Sequence, residues 1–247
     1  MRRTLPIPLL KDIEEQMFDL ITVDWNFEQT ATWRAFIGKR CPSANIITIQ
    51  EDPPIPWSKY SSKMRCLLYE FPHPDRVMYM DTDCFVTKDL EPLFEYMEDH
   101  DFDLGLSAGF MPHLSPFTGK HSKSPEAMNR VVEAMGASEL PPQYSSGMML
   151  FRPSVHRVAL YEDWLERFQN PVLVETWGQI PIIEEIALSF ALEALDYKIW
   201  LLPREVHGNI ASIGNDFGNT DMPDVIHYHK IGTLFRRRNL NRFIRKK

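Results

Sequence analysis

Val77-Met78-Tyr79-Met80-Asp81-Thr82-Asp83-Cys84-Phe85-Val86 drives an apolar run straight into two carboxylates one residue apart. The lead-in reads as a buried strand. In an extended strand alternate side chains share a face, so Asp81 and Asp83 are expected to point one way and Thr82 the other. Two carboxylates at a strand end suit a small divalent cation such as Mn²⁺ or Mg²⁺. Such an ion typically takes one or two protein carboxylates and leaves coordination positions open for nucleotide phosphates. The spacing alone is a weak signal, because Asp99-His100-Asp101 and Asp101-Phe102-Asp103 repeat it. Those two follow an amphipathic stretch without an apolar lead-in and read as solvated charge. At 81–83 apolar residues flank both carboxylates, where an unpaired charge is costly to bury. The competing structural reading is that the two aspartates cap a turn, a common service of Asp.

Upstream, Phe18-Asp19-Leu20-Ile21-Thr22-Val23 reads as a first buried strand, followed by the turn Asp24-Trp25-Asn26-Phe27 and a helix over 28–40. A second β-branched run, Asn45-Ile46-Ile47-Thr48-Ile49, completes a β-α-β pattern. Such units predict an α/β chain with a mainly parallel sheet and ligands beyond the carboxyl ends of its strands. Asp24 is placed there to accept from a ribose or base, and Trp25 or Phe27 to stack on the base; core packing is the bland alternative for the aromatics. A helix from Ser58 through Tyr69, with Ser58 as cap, carries Lys59, Lys63 and Arg65. Arg65 is the foremost cation to approach the carboxylates, with a solvated face as its alternative.

Downstream, a helix opens near Thr87-Lys88-Asp89-Leu90 and a strand lies over 102–108. Residues 109–142 read as a long surface excursion with a short helical stretch, a form of loop that is commonly functional. Tyr144-Ser145-Ser146-Gly147-Met148-Met149-Leu150-Phe151 is a turn running into a strand, where Gly147 allows close backbone approach to a ligand. Helices follow at 155–168 and 183–195; Glu184 and Glu185 open the second, where complementing the helix dipole is the structural alternative for both. A strand at 198–202, a polar loop at 208–223 and a last strand over 224–232 close the chain. The last strand sets His227 and His229 on one face, with Lys230 and Gly232 beyond, as metal and phosphate contacts.

The 247 residues, 44% apolar and 12% aromatic, suffice for one folded domain over 1–247 with a sizeable core. No apolar run approaches the roughly 20 residues needed to cross a bilayer, and the N-terminus lacks a signal-peptide core, which points to the cytoplasm. Cys41, Cys66 and Cys84 have no metal-ligand spacing and read as reduced core residues. A net charge of −7 argues against nucleic acid as partner. The segment from about 235 is nevertheless basic, with Arg236, Arg237, Arg238, Arg242, Arg245, Lys246 and Lys247. It suits peripheral contact with an anionic membrane surface or an acidic acceptor; a solvated tail is the alternative.

Ser62-Lys63-Met64-Arg65, then Asp75-Arg76-Val77-Met78-Tyr79-Met80-Asp81-Thr82-Asp83, then Leu90-Glu91-Pro92-Leu93-Phe94 together resemble a known metal-site segment. It is that of the nucleotide-sugar glycosyltransferases of the GT-A fold, nearest the glycogenin-like and lipopolysaccharide-galactosyltransferase-like group, family 8. The resemblance spans most of the chain. Asp24-Trp25-Asn26-Phe27 is similar to the group's nucleotide-stacking turn, with Phe27 where a Tyr is frequent. Ser145-Ser146-Gly147 is similar to its Asn-Ser-Gly donor-sugar turn, and Glu184-Glu185 falls where the group has an Asp-Gln pair near the transferred sugar. The group's His-x-x-Gly-x-x-Lys-Pro-Trp is only partly present, since no Lys-Pro-Trp occurs. The apolar lead-in favours His227 as the metal histidine, and the spacing to Gly232 favours His229.

The resemblance implies a mainly parallel, Rossmann-like GT-A sheet flanked by helices and a hexosyl transfer from a nucleotide-diphosphate sugar, UDP ahead of GDP, to a glycan or glycoconjugate hydroxyl. It implies Mn²⁺ or Mg²⁺ on Asp81, Asp83 and a histidine, nucleotide contacts from Asp24, Trp25, Phe27, Arg65, Thr82 and Lys230, and Glu184 or Glu185 as base or sugar-orienting group. Two rivals stand beside this reading: a nucleotidyltransferase that makes the sugar nucleotide, and an inactive sugar-nucleotide-binding protein. The first lacks a glycine-rich basic loop near the N-terminus to cradle a triphosphate.

Overall fold

A computed structural model describes residues 17–24, 27–70, 72–108, 125–176, 183–203, 206–210 and 224–228. The first strand, β1 (Phe18–Val23), is buried along its whole length and pairs in parallel with β2 (Ala44–Ile49), to which α1 (Phe27–Arg40) connects it. A 3₁₀ helix over Lys59–Leu67 leads into β3 (Val77–Met80), parallel to β1. Then follow β4 (Cys84–Val86), α2 (Glu91–Asp99), β5 (Leu104–Ala108), α3 (Pro125–Ala134) and β6 (Tyr144–Phe151). The described chain continues with α4 (Arg157–Phe168), α5 (Pro171–Glu175), α6 (Ile183–Leu195), β7 (Ile199–Leu202), β8 (His207–Ile210) and β9 (Val225–Tyr228).

The main sheet has the order β2-β1-β3-β6-β5-β7, and β6 alone runs against its neighbours β3 and β5. It is therefore mixed and mainly parallel, as expected. Burial on both faces explains why its strands read as continuous apolar runs rather than alternating ones. On one face Ile21, Val23, Val77, Tyr79, Leu104 and Phe151 pack with the 3₁₀ helix, α3, α4 and α6. On the other Phe18, Leu20, Met78, Met80, Met148 and Leu150 pack with α1, α2 and the small sheet β4-β9-β8. The odd–even split along β1 and β3 is the strand period made visible.

Several boundaries differ from the sequence expectation for local reasons. The helix expected over 58–69 is a 3₁₀ helix over Lys59–Leu67, in which Ser58 makes no side-chain cap. Ser61 Oγ instead bonds the carbonyl of Ser58 at 2.7 Å and the amide of Ile55 at 3.1 Å. A hydroxyl that competes locally for backbone groups favours such tighter turns. Helix α2 starts at Glu91 rather than near Thr87, because Asp89 Oδ1 accepts from the Glu91 amide at 3.1 Å. The polar stretch expected to be loop from 208 lies partly in β8, parallel to β9. The strand expected over 224–232 is described over 225–228, and 229–232 lie outside the described residues. Cys41, Cys66 and Cys84 are free and buried, as expected of core thiols.

Candidate active site

Strand β3 stops at Met80, so Asp81, Thr82 and Asp83 are not a continuation of the strand. The Cys84 amide donates to the Asp81 carbonyl at 3.0 Å, closing a turn over 81–84 that carries the chain from the main sheet into β4. Residues 81–84 are thus a turn, so the same-face argument from strand alternation does not apply, and the Asp81 carboxylate accepts from Lys63 and Tyr79 rather than capping the turn. The turn nevertheless sits at the carboxyl end of β3, the edge where an α/β sheet takes its ligands. Helix α1 pins it: Trp33 Nε1 donates to the Cys84 carbonyl at 2.8 Å, and Gln29 Nε2 to Thr82 Oγ1 at 3.4 Å.

Among the described residues Lys63 is the cation that reaches this turn. Its Nζ donates to Asp81 Oδ2 at 3.3 Å and to Ser146 Oγ at 2.9 Å, and the side chain is 3% exposed. Arg65, expected in this role, is instead bonded to the Asp52 carbonyl at 2.8 Å and paired with Glu51 at 3.0 Å. The 3₁₀ period of three separates them: residues three apart eclipse, so Lys63 shares the side of Cys66, whereas Arg65 lies a third of a turn round. An α-helical period separates the two as well, by about 200°, so what picks Lys63 over Arg65 is which side of the helix faces the sheet edge. Tyr79 Oη donates to Asp81 Oδ1 at 2.5 Å, so both carboxylate oxygens of Asp81 are already held by protein donors.

Antiparallel β6 brings its amino end to the same place. The Asp81 amide donates to the Gly147 carbonyl at 2.9 Å, extending the Met80–Met148 pairing. On the other side the register breaks: Leu106 faces Met149, but the next β5 residue, Ser107, faces Ser145. Residues 146–148 therefore bulge away from β5 and lean on β3, the kind of irregularity that re-aims side chains at sheet ends. Glu185, in the first turn of α6, meets the bulge. Its Oε1 accepts from the Ser146 amide at 2.9 Å and from Ser145 Oγ at 3.0 Å. Ser145, Ser146, Gly147, Asp81, Lys63 and Glu185 are thus one hydrogen-bonded constellation.

Its electrostatics follow from burial. Desolvation works against the Lys63 charge, but the carboxylates of Asp81, Glu184 and Glu185 outweigh it and raise its pKa above the ordinary lysine value. Burial pushes the Glu184 carboxyl up to about 7; Lys63 opposes the rise and Glu185 adds to it. The Tyr79 hydroxyl and the Cys84 thiol are pushed well up by burial first and by the two aspartates next. Both keep their protons, so Tyr79 can donate to Asp81.

Asp24 lies at the carboxyl end of β1, where its Oδ1 accepts from Thr30 Oγ1 at 2.8 Å and its Oδ2 from Gln50 Nε2 at 3.3 Å. Phe27 is the first residue of α1 and His227 pairs opposite Cys84, next to Asp83, in the β4–β9 register. The side chains of those two, and Trp25, His229 and Lys230 entirely, lie outside the described residues. Among the described residues no three His, Cys, Asp or Glu side chains gather to hold a metal by themselves. Asp81 and Asp83 both belong to the turn at this ligand edge. That donor chemistry fits a hard divalent cation which completes its shell from phosphate, and the backbone register brings position 227 alongside.

No protein-family model and no curated protein matches the sequence. Solved structures do match in shape. An active-site mutant of LgtC aligns with a TM-score of 0.53 at 14% identity, over 86% of this chain and 87% of that one. The galactosyltransferase LgtC in complex with donor and acceptor sugar analogues aligns at 0.50 and 15% identity, over 86% and 87%. Mouse xyloside xylosyltransferase 1 in its apo form aligns at 0.50 and 12% identity, over 86% and 84%. At such identity the likeness is one of fold, and the fold is that of the GT-A glycosyltransferases.

Proposed function

We propose that the chain transfers a hexosyl group from a nucleotide-diphosphate sugar, with UDP ahead of GDP, to a hydroxyl of a glycan or glycoconjugate. The observation that supports this best is the meeting of the Asp81–Asp83 turn, the buried Lys63, the Ser145–Gly147 bulge and the Glu184–Glu185 pair at one sheet edge. In the transfer the bond from the anomeric carbon to the diphosphate oxygen breaks and one to the acceptor oxygen forms, through an oxocarbenium-like state. Mn²⁺ or Mg²⁺ bound there supplies Lewis-acid neutralisation of the leaving diphosphate. Asp81 and Asp83, with His227 or His229, would hold it. Lys63 adds a fixed positive charge that needs no reorganisation as the leaving group charges.

A carboxylate of the Glu184–Glu185 pair takes the acceptor proton if the reaction inverts, and orients the sugar if it retains. Burial holds the Glu184 carboxyl near 7, which suits general-base work at neutral pH. Asp24, Thr82 and the base-stacking aromatics Trp25 and Phe27 serve the nucleotide, with Lys230 toward its phosphates. The basic segment from about 235 serves peripheral membrane contact on the cytoplasmic side. Among the described residues no helix is long and apolar enough to cross a membrane.

The test is calorimetry of UDP binding with MnCl₂ and with EDTA. Asp81, Asp83, Glu184 and Glu185 repel a bare diphosphate, so binding is expected with metal and to be lost without it. Equal affinity in both conditions would remove the metal from the reading.

A further inference from the structure

Tyr144 and Ser146 are two residues apart on β6 and present their amides to one side. Glu185 and Ser189 are four apart on α6 and share one helix face. These spacings engage. The Tyr144 amide donates to Ser189 Oγ at 3.2 Å and the Ser146 amide to Glu185 Oε1 at 2.9 Å. Helix α6 thus supplies acceptors at the place where the bulge turns β6 away from β5.

Proton counting then orients the hydroxyl of Ser146. An ammonium has only donors, so Ser146 Oγ must accept from Lys63 at 2.9 Å. Its single proton is left for Glu185 Oε1, 3.5 Å away. The order is Lys63 to Ser146 to Glu185, with Lys63 also donating to Asp81. Glu184, the preceding residue on α6, is turned about 100° from this face, so the adjacent glutamates are not interchangeable.

We propose that Glu185 is a positioning residue: by holding the Ser145–Gly147 bulge and the Ser146 hydroxyl, it aims the Lys63 ammonium at Asp81 and at the donor diphosphate. The last clause rests on the glycosyl-transfer reading; the placement of Lys63 belongs to the free protein and is tested apart from it.

The experiment follows the ¹⁵N signal of the Lys63 ammonium in the free full-length protein, assigned with Lys63→Arg, alongside UDP calorimetry in MnCl₂. Glu185→Ala and Ser146→Ala are expected to shift or broaden the Lys63 signal and to weaken UDP by about tenfold, the scale of one lost charged contact. Glu185→Gln keeps an acceptor oxygen for the Ser146 amide. It is expected to keep the Lys63 signal sharp and displaced less than in Glu185→Ala, by the lost field of one carboxylate alone. Loss of the signal in Glu185→Gln would mean that the charge matters rather than the tether, and would overturn the proposal. So would an unchanged signal in Glu185→Ala, whatever UDP does. If Glu185→Ala does not fold, Ser145→Ala, which removes a donor to Glu185 Oε1 without touching Lys63, decides by the same criterion. A wild-type protein that ignores UDP and Mn²⁺ while its Lys63 signal responds to these substitutions would overturn the glycosyl-transfer reading and leave the positioning role standing.

Discussion

Lys63 keeps its charge in a place where burial alone would strip it, because Asp81 lies at 3.3 Å and the two glutamates add their field. A buried pair of this kind is costly to break from one side, since the surviving charge is left without compensation. Asp81→Asn therefore does more than weaken a metal ligand. Asp81→Asn and Lys63→Met are each expected to cost on the order of 3 kcal/mol in urea unfolding, and the double variant less than their sum. Strict additivity would show that the pair is not coupled. Asp101, which shares the one-residue aspartate spacing, is the contrast: it is 77% exposed and pairs with Lys198 and Arg152 at the surface. Asp101→Asn is expected to leave the unfolding midpoint and UDP binding where they were, and asparagine also tolerates the left-handed backbone at this position, φ 55°.

Helix α1 does the corresponding work among the elements, since Trp33 and Gln29 reach from it to the 81–84 turn. Trp33→Phe removes the donor to a buried carbonyl and is expected to cost about 1–3 kcal/mol, the penalty for leaving such a group unsatisfied. It should also weaken UDP with Mn²⁺ by loosening the turn. Full stability in Trp33→Phe would mean that another group satisfies the Cys84 carbonyl. Elements like these were legible in proportion to how locally they are determined. Strand β1 and helix α6 carry their own apolar patterns, and their expected bounds of 18–23 and 183–195 are the observed ones. Strand β8 was not legible, because His207-Gly208-Asn209-Ile210 has no apolar run and is a strand only by pairing with β9. The Lys63 pairing was hidden because its partners Asp81 and Ser146 are distant in sequence, and the Glu185 tether by a bulge that only the β3–β6–β5 register creates. Asp81, Ser145–Gly147 and Glu185, which the sequence singles out separately, meet at one sheet edge, and the contacts between them come from non-local pairing.

For the whole molecule, the candidate site lies where two cores end, at the edge of a sheet buried on both faces, and it gathers charge where packing would prefer none. That arrangement opposes stability in a way that pH can expose. Burial raises the Glu184 carboxyl from an ordinary 4.5 to about 7 in the folded chain. Below pH 4.5 both states carry the proton and the group costs nothing. Between 4.5 and 7 the unfolded chain releases the proton while the folded chain retains it, so this contribution to stability falls as pH rises and is lost above 7. Glu184→Gln removes the titration. It is expected to gain on the order of 2–3 kcal/mol over wild type at pH 8 and little at pH 4.5, since each tenfold change in proton affinity between the two states is worth about 1.4 kcal/mol. Urea unfolding of both proteins across this range, read as the difference between them, cancels the other carboxylates. A difference that stays flat or narrows as pH rises would show that the folded protein holds Glu184 ionised, supported by Lys63, and would move the titrating role to another group.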